Sequence, residues 1–529
     1  MAKSIMIQGT TSDAGKSFIA AALCRIFAQD GYKVAPFKSQ NMALNSFITK
    51  DGMEMGRAQV MQAEAAGIEP DVRMNPVLLK PAGDDGSQVI VMGEVLETMK
   101  AQDYYAFKHK LRPAIEKAYA ELAEANDVVV IEGAGSPAEI NLRDDDFVNM
   151  GMAKIAGAPV LICGDIDRGG VFASLYGTVA LLDDTERPYV KGTIINKFRG
   201  DVEILRPGLP QLEQMCGVPV LGVVPMLRVD LDDEDSLSSR LSRRRADAAI
   251  DICVVRLPHL SNFTDFNSLE RFDQVAVRYV RDPHELGQPD LVIVPGSKNT
   301  MGDLVWMRES GMESYVARLA RAGVPVMGVC GGYQMLGEEL CDPEGVEYGG
   351  TMRGMGLLPT RTVFASGKTR TRVAGKVGEL EGVFAPLSGA DFEGYEIHMG
   401  KTDAGSFSQL EVRGGGTFGD AAGAAAGASG SSGDGCVAGS SGDGCVAGGS
   451  GDGCVAGNVM GTYVHGIFDE GSFASRMVAL LAQRKGIDLE GAPETSFEDY
   501  KNAQYDLLAD GVRKSLDMDA VYKILEQGV

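Results

Sequence analysis

Two segments of the chain carry residue types that could do chemistry, and the first is a glycine-rich stretch near the N-terminus. GTTSDAGKS (Gly9–Ser17) follows the apolar run SIMIQ and precedes a segment with helical apolar periodicity. Glycines permit a tight turn whose backbone N–H groups can point at phosphate oxygens, and a helix N-terminus favours an anion. The spacing has one residue more than the strict P-loop pattern, but the strand–loop–helix order predicts nucleotide binding rather than an ordinary turn. The candidate nucleotide-binding residues are Gly9, Thr10, Asp13, Gly15, Lys16 and Ser17.

Polar residues that follow later apolar runs extend this candidate nucleotide site. Glu132 ends the run DVVVIE, and ligands of open α/β sheets bind beyond the carboxyl ends of the strands. Because Mg²⁺ prefers oxygen ligands, Ser17 and Glu132 are the candidate metal ligands, although Glu132 could instead be a solvated or helix-capping acid. Asp165 and Asp167 follow the next run and are further candidates. Asn196, with its neighbour Lys197, follows another run and is expected to contact the nucleotide base or the substrate.

The second chemical segment centres on a single cysteine. The run VPVMGV leads into Cys330 within GVCGGYQMLG, which has the Gly-x-nucleophile-x-Gly form of a strand-to-helix elbow. A thiol in this position attacks a carbonyl once a base has removed its proton, whereas an ordinary buried cysteine is inert. The N–H groups that follow the nucleophile can stabilise an oxyanion. Gly331, directly after the cysteine, and Gly296, in VPGSKNT after another apolar run, are the candidate oxyanion residues.

The chain has five histidines, so few side chains can serve as the base. His465 in GTYVHGIFD follows a short strand-like run and is the first candidate. His398 in YEIHMG is the second. His109 lies in a polar helical segment and is interpreted as a surface residue. The sequence therefore predicts that Cys330 and His465 are the catalytic pair.

Alternating β-branched runs and helical segments must position these residues. This pattern is typical of parallel sheets in an α/β protein, and it occurs twice along the chain. We predict a P-loop domain with a mostly parallel sheet at 1–235, a polar linker at 236–245 and a second α/β domain at 246–529. The run Lys16–Gln29 is the predicted helix that follows the glycine-rich loop.

A low-complexity stretch interrupts the second domain. Residues 414–457 hold 17 of the 68 glycines, and the unit SSGDGCVAG (Ser431–Gly439) recurs as Ser440–Gly448 and, with one change, as Gly449–Gly457. Such a composition offers too little apolar area to offset its ordering entropy, which predicts a flexible insert. The alternative is a calcium-binding nonapeptide coil, but three units with one Asp each are too few to form one.

Composition limits the possible partners and the compartment. The 529 residues carry 50 Lys+Arg against 73 Asp+Glu, a formal net charge of −23, which disfavours nucleic acid and anionic membranes but not a small phosphate ligand. The nine cysteines have no CxxC spacing and no nearby histidine pair, which indicates neither a zinc site nor a disulfide scaffold. Because no signal peptide or apolar membrane-spanning run is evident, we expect a cytoplasmic protein.

Taken together, these motifs resemble one family, the glutamine-hydrolysing cobyric acid synthases of cobalamin biosynthesis. The first domain, with its longer P-loop, is also similar to dethiobiotin synthetase, and the second to class I glutamine amidotransferases. The resemblance covers both predicted domains in order. It rests on GTTSDAGKS, FKSQNMALNS, NPVLLKP, GSQVIVMG, IEGAGSPAEINL, DIDRGGVFAS, INKFRGD, PGSKNT, VCGGYQMLG, GYEIHMG and GTYVHGIFD.

The resemblance implies an ATP- and glutamine-dependent ligase that amidates four peripheral carboxylates of adenosylcobyrinic acid a,c-diamide to give adenosylcobyric acid. It also implies that Cys330 is the glutaminase nucleophile, that His465 is its base, and that ATP and Mg²⁺ bind at Lys16, Ser17 and Glu132. Relatives of this glutaminase class often carry a Glu two residues after the histidine, where this chain has Ile467. A Cys–His dyad, helped by Asp469, is therefore expected.

Three other interpretations stay open at this point. The sister enzyme, cobyrinic acid a,c-diamide synthase, amidates the a and c carboxylates, although QNMALNS and IHMG favour cobyric acid synthase. A non-catalytic ATP switch of the partition-ATPase kind would share the longer P-loop, but it would not need the cysteine elbow. A stand-alone thiol amidase would carry a vestigial P-loop.

Overall fold

The computed structural model describes residues 2–81, 86–143, 146–231, 248–403, 410–414, 450–489 and 496–529. The chain divides into two compact units. The first contains Met1–Thr49, Met53–Asp235 and Phe497–Val529, and the second contains Lys50–Gly52 and Ser236–Ser496. The predicted linker 236–245 lies outside the described residues.

The regular elements are numbered in chain order. In the first unit the strands are β1 (Lys3–Gly9), β2 (Val34–Phe37), β3 (Gln40–Met42), β4 (Ser46–Ile48), β5 (Glu54–Gly56), β6 (Val77–Pro81), β7 (Gly86–Val91), β8 (Glu94–Lys100), β9 (Val128–Glu132), β10 (Val160–Asp165), β11 (Val190–Phe198) and β12 (Val220–Pro225). Its helices are α1 (Lys16–Gln29), α2 (Arg57–Ala65), α3 (Ala101–Phe107), α4 (Arg112–Ala125), α5 (Met150–Ala156), α6 (Val171–Leu181), α7 (Val202–Leu205) and α8 (Leu209–Cys216).

The second unit contributes the next elements along the chain. Its strands are β13 (Ile250–Val255), β14 (Val275–Val280), β15 (Leu291–Val294), β16 (Val326–Val329), β17 (Glu339–Asp342), β18 (Gly350–Arg353), β19 (Arg361–Val377), β20 (Asp391–Asp403), β21 (Leu410–Gly414), β22 (Ser450–Asp452), β23 (Cys454–Ala456), β24 (Val459–Thr462) and β25 (Val464–Gly471). Its helices are α9 (Thr300–Glu309), α10 (Met312–Arg321), α11 (Gly331–Leu336) and α12 (Phe473–Lys485). The last two helices are α13 (Phe497–Ser515) and α14 (Met518–Gln527).

A parallel sheet forms the centre of the first unit, with the strand order β12-β11-β10-β1-β9-β2. The strands β1, β9, β10 and β2 are buried along almost their whole length, as expected for a parallel sheet covered on both faces. The first strand leads through the glycine-rich loop into α1, in the predicted order. A four-stranded sheet of order β3-β6-β7-β8 and the β4–β5 hairpin complete this unit, and neither was predicted from the sequence.

The C-terminal helices α13 and α14 belong to the first unit, which corrects the predicted second domain of 246–529 at its C-terminal end. Their buried side chains share one hydrophobic core with α1 and β1. The Arg25 guanidinium donates to Asp506 at 2.8 Å, and Asp517 N–H donates to Leu221 O at 2.7 Å. The second unit is therefore inserted into the chain of the first.

Two sheets form the second unit. The first has the order β14-β13-β15-β16-β24-β23 and is parallel except for the β23–β24 pair. The second has seven strands and is mainly antiparallel, running β18-β17-β19-β20-β25 with β21 and β22 at the side of β19. β24 of the first sheet passes directly into β25 of the second, so the segment that carries His465 joins both. Among the described residues of the whole chain, no helix combines the length and apolar character needed to cross a membrane.

The last copy of the nonapeptide is part of this fold, which corrects the predicted flexible insert at 414–457 for its final residues. β22 and β23 both lie in this copy, and β22 pairs with β21. Asp452 Oδ2 accepts hydrogen bonds from Thr462 Oγ at 2.5 Å and from Tyr463 N–H at 3.0 Å, and Cys454 is 1% exposed. Burial, then the nearby Glu396, raises the pKa of Asp452 to about 6. Residues 415–449 lie outside the described residues.

These contacts divide the insert into a part we expect to be dispensable and a part that is not. Deleting residues 419–449 should leave the thermal midpoint of the second unit nearly unchanged, because β21 and β22 are antiparallel neighbours that a short turn can join. Deleting residues 419–457 should lower it clearly. Thr462 and the Tyr463 N–H then lose a buried acceptor, at about 1–3 kcal/mol each. Scanning calorimetry of the two deletion variants measures both thermal midpoints. Equal midpoints would contradict the prediction.

Candidate active sites

Cys330 lies on a sharp turn between β16 and α11. Its backbone has φ 52 and ψ −110, a region that residues other than glycine rarely adopt and that nucleophile elbows use. The side chain is buried, and its Sγ lies 3.6 Å from Ile397 O. Gly331 is the first residue of α11, so its N–H has no acceptor within the helix. The predicted elbow is present in the structure.

His465 is the second residue of β25 and is 1% exposed. Its Nδ1 lies 2.6 Å from Asp265 Oδ2, while Asp265 Oδ1 accepts the Gly466 N–H at 3.2 Å. A carboxylate can only accept, so Nδ1 carries the proton and Nε2 is the nitrogen left for the thiol. The acid that contacts His465 is therefore Asp265, rather than the expected Asp469.

The charges around His465 favour its protonated form. Burial lowers the pKa of the ring, but Asp265 and then Cys330 raise it by more, and the net pKa is about 10. An imidazolium next to a thiol favours the thiolate, which is the form that attacks carbonyl carbon. Asp265 therefore holds His465 in its protonated form next to the Cys330 elbow.

Four adjacent strands of the parallel sheet, in the order β13-β15-β16-β24, bring the parts of this site together. Asp265 follows β13, Gly296 follows β15, Cys330 follows β16 and His465 follows β24. A Cβ built on Gly296 would lie 3.1 Å from His465 Cε1, and one built on Gly331 would lie 2.9 Å from the backbone N of Ser297. Both predicted oxyanion glycines therefore border the Cys330–His465 pair.

The other two histidines considered from the sequence have different surroundings. The His398 ring stacks on Tyr463 with centroids 3.7 Å apart, and its Nδ1 is 3.1 Å from Gly400 O. These contacts give His398 a structural role in β20 rather than that of the base. His109 is exposed, in agreement with its interpretation as a surface residue.

The glycine-rich loop of the first unit connects β1 to α1. Gly15 has φ +91, and a Cβ on it would lie 2.1 Å from Asn196 Nδ2, so only glycine fits there. Lys16 Nζ donates to Thr11 O at 3.0 Å and to Gly135 O at 3.2 Å, which holds it across the loop. Asn196 Nδ2 donates to Ala14 O at 3.0 Å. Asn196, which was predicted to contact the nucleotide base or the substrate, therefore supports the backbone of the loop.

The remaining loop residues are held by neighbouring strands and by one exposed arginine. Thr10 N–H donates to Cys163 O at 3.0 Å, and a Cβ on Gly9 would lie 2.9 Å from Thr11 O. Asp13 has φ 57, and its Oδ2 accepts from Arg168 at 3.0 Å. The loop is therefore preformed around Lys16.

Glu132 is the last residue of β9 and is fully buried. Its Oε1 accepts from Ser17 Oγ and from Lys38 Nζ, each at 2.9 Å. Its Oε2 accepts from Gln62 Nε2 at 2.5 Å and from Gln59 Nε2 at 3.4 Å. The structure thus brings the two predicted metal ligands into direct contact, and it adds Lys38 and two α2 glutamines that the sequence argument missed.

Asp165, the last residue of β10, and the nearby Asp167 bind protein cations. Asp165 Oδ2 lies 3.0 Å from Lys197 Nζ, and its Oδ1 accepts the Asp167 N–H at 2.8 Å. Asp167 Oδ1 accepts from Arg199 Nε at 2.8 Å. These ion pairs lie at the edge of the nucleotide loop.

Comparison with known proteins places both units. Residues 5–236 match the CobQ/CobB/MinD/ParA nucleotide binding domain, and residues 251–473 match the CobB/CobQ-like glutamine amidotransferase domain. The cobyric acid synthase of Ruminiclostridium cellulolyticum is 57% identical over 100% of this chain and 98% of its own length. Those of Lachnoclostridium phytofermentans and Salmonella typhimurium are 53% and 52% identical, over 100% of this chain and 100% and 99% of their own lengths.

The chain belongs to the cobyric acid synthase family.

Membership in the cobyric acid synthase family confirms the predicted α/β class, with a nucleotide-binding domain followed by a glutamine amidotransferase domain. It also confirms the predicted enzyme class, a ligase that amidates with glutamine. The sequence resemblance was therefore correct, and it extends over the full chain.

The residues around Glu132 fit the magnesium ion expected with ATP in this family. Ser17 and Glu132 supply hydroxyl and carboxylate oxygens, and the buried Gln62 Oε1 has no hydrogen-bonding partner in the part of the chain that the structure describes. No group of three or more His, Cys, Asp or Glu suited to a metal occurs among the described residues. Mg²⁺ is usually held by one or two protein oxygens together with phosphates and water, and Ser17 and Glu132 carry oxygens of that kind.

Proposed function

We propose that this chain hydrolyses glutamine at Cys330 and uses the ammonia, with ATP, to amidate four peripheral carboxylates of adenosylcobyrinic acid a,c-diamide, giving adenosylcobyric acid. The observation that carries the proposal is the Asp265–His465 pair beside the Cys330 elbow, in one chain with a preformed P-loop. The full-length similarity to cobyric acid synthases supports the choice of acceptor.

In the glutaminase step, the Cys330 thiolate attacks the side-chain amide carbon of glutamine. The negative charge on the carbonyl oxygen is stabilised by backbone N–H groups next to Gly296 and at Gly331. His465 then protonates the departing nitrogen, so that ammonia leaves and a thioester remains. Water, deprotonated by His465, hydrolyses the thioester to glutamate and restores the thiol.

In the synthetase step, a carboxylate oxygen of the acceptor attacks the γ-phosphorus of ATP, and ADP leaves. Ammonia attacks the resulting acyl phosphate, phosphate leaves, and the amide forms. Lys16 and the N–H groups of the loop bind the phosphates. Ser17 and Glu132 would hold Mg²⁺, which neutralises the phosphate charge when it is bound. Asn196 and Asp13 are proposed to border the nucleotide.

The sister reaction on the a and c carboxylates is the second candidate. Both reactions use the same two sites, so the acceptor decides between them. Wild-type enzyme is incubated with ATP, glutamine labelled with nitrogen-15 in its amide, and either cobyrinic acid or its a,c-diamide. Four labelled amides in the a,c-diamide product, counted by mass spectrometry, support cobyric acid synthesis, whereas labelling only of cobyrinic acid supports the sister reaction.

The Cys330→Ala variant tests the division of labour between the two sites. It should lose glutamine-dependent amidation by a factor of about 10⁴ or more, because the nucleophile is removed. Amidation with ammonium chloride and ATP should continue at the wild-type rate, since the P-loop site is untouched. The control Cys341→Ala changes a buried thiol of β17 outside the elbow. Equal loss of both activities in Cys330→Ala would contradict the proposal.

A further inference from the structure

The segment that follows β15 is paired with the loop that follows β13. Ser261 N–H donates to Gly296 O, and Lys298 N–H donates to His259 O, both at 3.0 Å. In an extended antiparallel pair, successive residues turn their N–H and C=O groups to opposite sides. Gly296 therefore directs its polar groups to the β13 loop, whereas Ser297 directs its N–H away from that loop.

The first turn of α11 borders the side of the segment to which the Ser297 N–H is directed. A Cβ on Gly331 would lie 2.9 Å from the Ser297 nitrogen and 3.3 Å from its Cβ. Gly331 directly follows the nucleophile Cys330. The N–H of this segment that can reach an oxyanion at Cys330 is therefore that of Ser297, rather than that of the predicted Gly296.

One buried carboxylate holds both strands of this pair. Asp303 in the first turn of α9 is fully buried, and its Oδ2 accepts from Ser297 Oγ at 2.6 Å and from His259 N–H at 3.2 Å. Its Oδ1 lies 2.8 Å from His259 Nδ1. The Ser297 hydroxyl in turn accepts the Asn299 N–H at 2.9 Å. Asp303 thus links the Ser297 side chain to the opposite loop.

Capping of α9 does not account for these contacts. The N-cap is Asn299, whose side chain accepts the Gly302 N–H at 3.1 Å. Asp303 instead directs its carboxylate out of the helix to Ser297 and His259. A buried charge is retained at a cost in stability unless it is well hydrogen-bonded, and these three bonds converge beside the active site.

We propose that Asp303 is a positioning residue for glutamine hydrolysis. By holding the Ser297 hydroxyl, it fixes the Ser297 N–H where the oxyanion of the tetrahedral intermediate develops on the substrate attached to Cys330. Asp303 touches neither substrate nor thiol and acts through Ser297. The inference rests on the proposed glutaminase activity, and it explains how the Ser297 N–H is held in position to stabilise the oxyanion.

The test uses Ser297→Ala, Ser297→Thr, Asp303→Ala and the double variant. We expect Ser297→Ala and Asp303→Ala to lower kcat for glutamine hydrolysis by about 10- to 100-fold, less than the loss on removing an oxyanion donor outright. KM should change little, and Ser297→Thr should keep most of the activity because it retains the hydroxyl. The double variant should be no slower than the slower single variant, since both changes break one link.

Two further measurements separate positioning from a general loss of structure. Alkylation of Cys330 by iodoacetamide forms no oxyanion, so its rate should stay at the wild-type value. Inhibition by glutamate γ-semialdehyde, which forms a tetrahedral adduct with a thiol, should weaken by the same factor as kcat/KM. Ser310→Ala, at the other end of α9, is the matched control and should change none of these values.

Several outcomes would overturn the inference. One is full glutaminase activity in Ser297→Ala. This variant removes a single hydroxyl, so we expect it to fold even if Asp303→Ala does not. Another is a fall in alkylation rate parallel to the fall in kcat, which would assign Asp303 a structural role only. Wild-type enzyme that fails to hydrolyse glutamine would instead contradict the proposed function, so the two failures are distinguishable.

Discussion

A chain that ends at residue 496 should lose ATP-dependent amidation even when ammonia is supplied, while its glutaminase unit stays folded. The missing residues come after the glutaminase domain in sequence, but α13 and α14 belong to the nucleotide-binding unit. The expected loss is therefore in the domain at the other end of the chain. If the C-terminal helices belonged to the second domain, the truncation would instead abolish glutamine hydrolysis.

The size of the effect follows from burial. Seven apolar side chains of this segment, from Tyr505 to Leu525, are part of the core that also contains α1 and β1. At about 1.5–3 kcal/mol for each large side chain, their loss is comparable to the whole stability of a typical domain, about 5–15 kcal/mol. Polar contacts add to this: Tyr505 OH donates to Glu64 at 2.7 Å, and Arg513 pairs with Asp30 at 3.0 Å.

Two adjacent leucines of α13 supply a matched point-variant test. Leu508 is 2% exposed and Leu507 is 56% exposed. We expect Leu508→Asp to lower the thermal midpoint of the nucleotide-binding unit and its ammonia-dependent activity, and Leu507→Asp to change neither. Calorimetry and the rate of Cys330 alkylation, which reports on the glutaminase unit, distinguish the two domains. Equal behaviour of the two variants would show that α13 does not cover this core.

The C-terminal helices also mark a limit of prediction from sequence. The helix Lys16–Gln29 was predicted with its observed bounds, because a glycine-rich loop and an apolar period define both its start and its inner face. The helices α13 and α14 have buried apolar faces as well. Their apolar faces, however, do not indicate which of two cores they cover, since a long-range contact leaves no local pattern. The domain boundary was therefore wrong at its C-terminal end.

The nonapeptide repeat is a second case in which contacts distant from the local pattern limit prediction from sequence. Its three copies share SGDGCVAG, so composition could not distinguish the last one from the others. The last copy differs in its C-terminal neighbours, because Gly457 and Asn458 form the turn from β23 to β24, which places Asp452 against Thr462. The pairing of β23 with β24, rather than the composition of the repeat, accounts for the strands of this copy.

The residues proposed for glutamine hydrolysis differ in how far the sequence indicated them. Cys330 and His465 stand in distinctive local motifs, whereas Asp265 lies in a polar segment after β13, 200 residues before His465 in the chain. One signal was available: β13 is a strand of the same parallel sheet, and polar residues after such strands gather at one edge. Lys38 after β2 was missed for the same reason. Applying that rule to every strand would have identified both.

Asp265→Asn should lower kcat for glutamine hydrolysis by about 10²–10⁴, the upper end being the loss found when the triad Asp of a serine protease is changed to Asn. The asparagine removes the charge that raises the pKa of His465, while the burial that lowers it remains. The imidazolium then loses its proton at lower pH. Less positive charge then lies next to the Cys330 sulfur at pH 7, so its alkylation by iodoacetamide should slow in parallel.

Asp469→Asn is the matched comparison for Asp265→Asn, because the sequence analysis expected Asp469 to assist the Cys–His dyad. Its carboxylate would lie 3.2 Å from a Cβ on Gly466, close to the site, whereas Asp265 is the acid on His465 Nδ1. We expect Asp469→Asn to keep the wild-type pH profile of alkylation, and Asp265→Asn to change it. Ammonia-dependent amidation should be unaffected in both. A normal alkylation profile in Asp265→Asn would show that His465 does not depend on this carboxylate, and the site would then act as a Cys–His dyad.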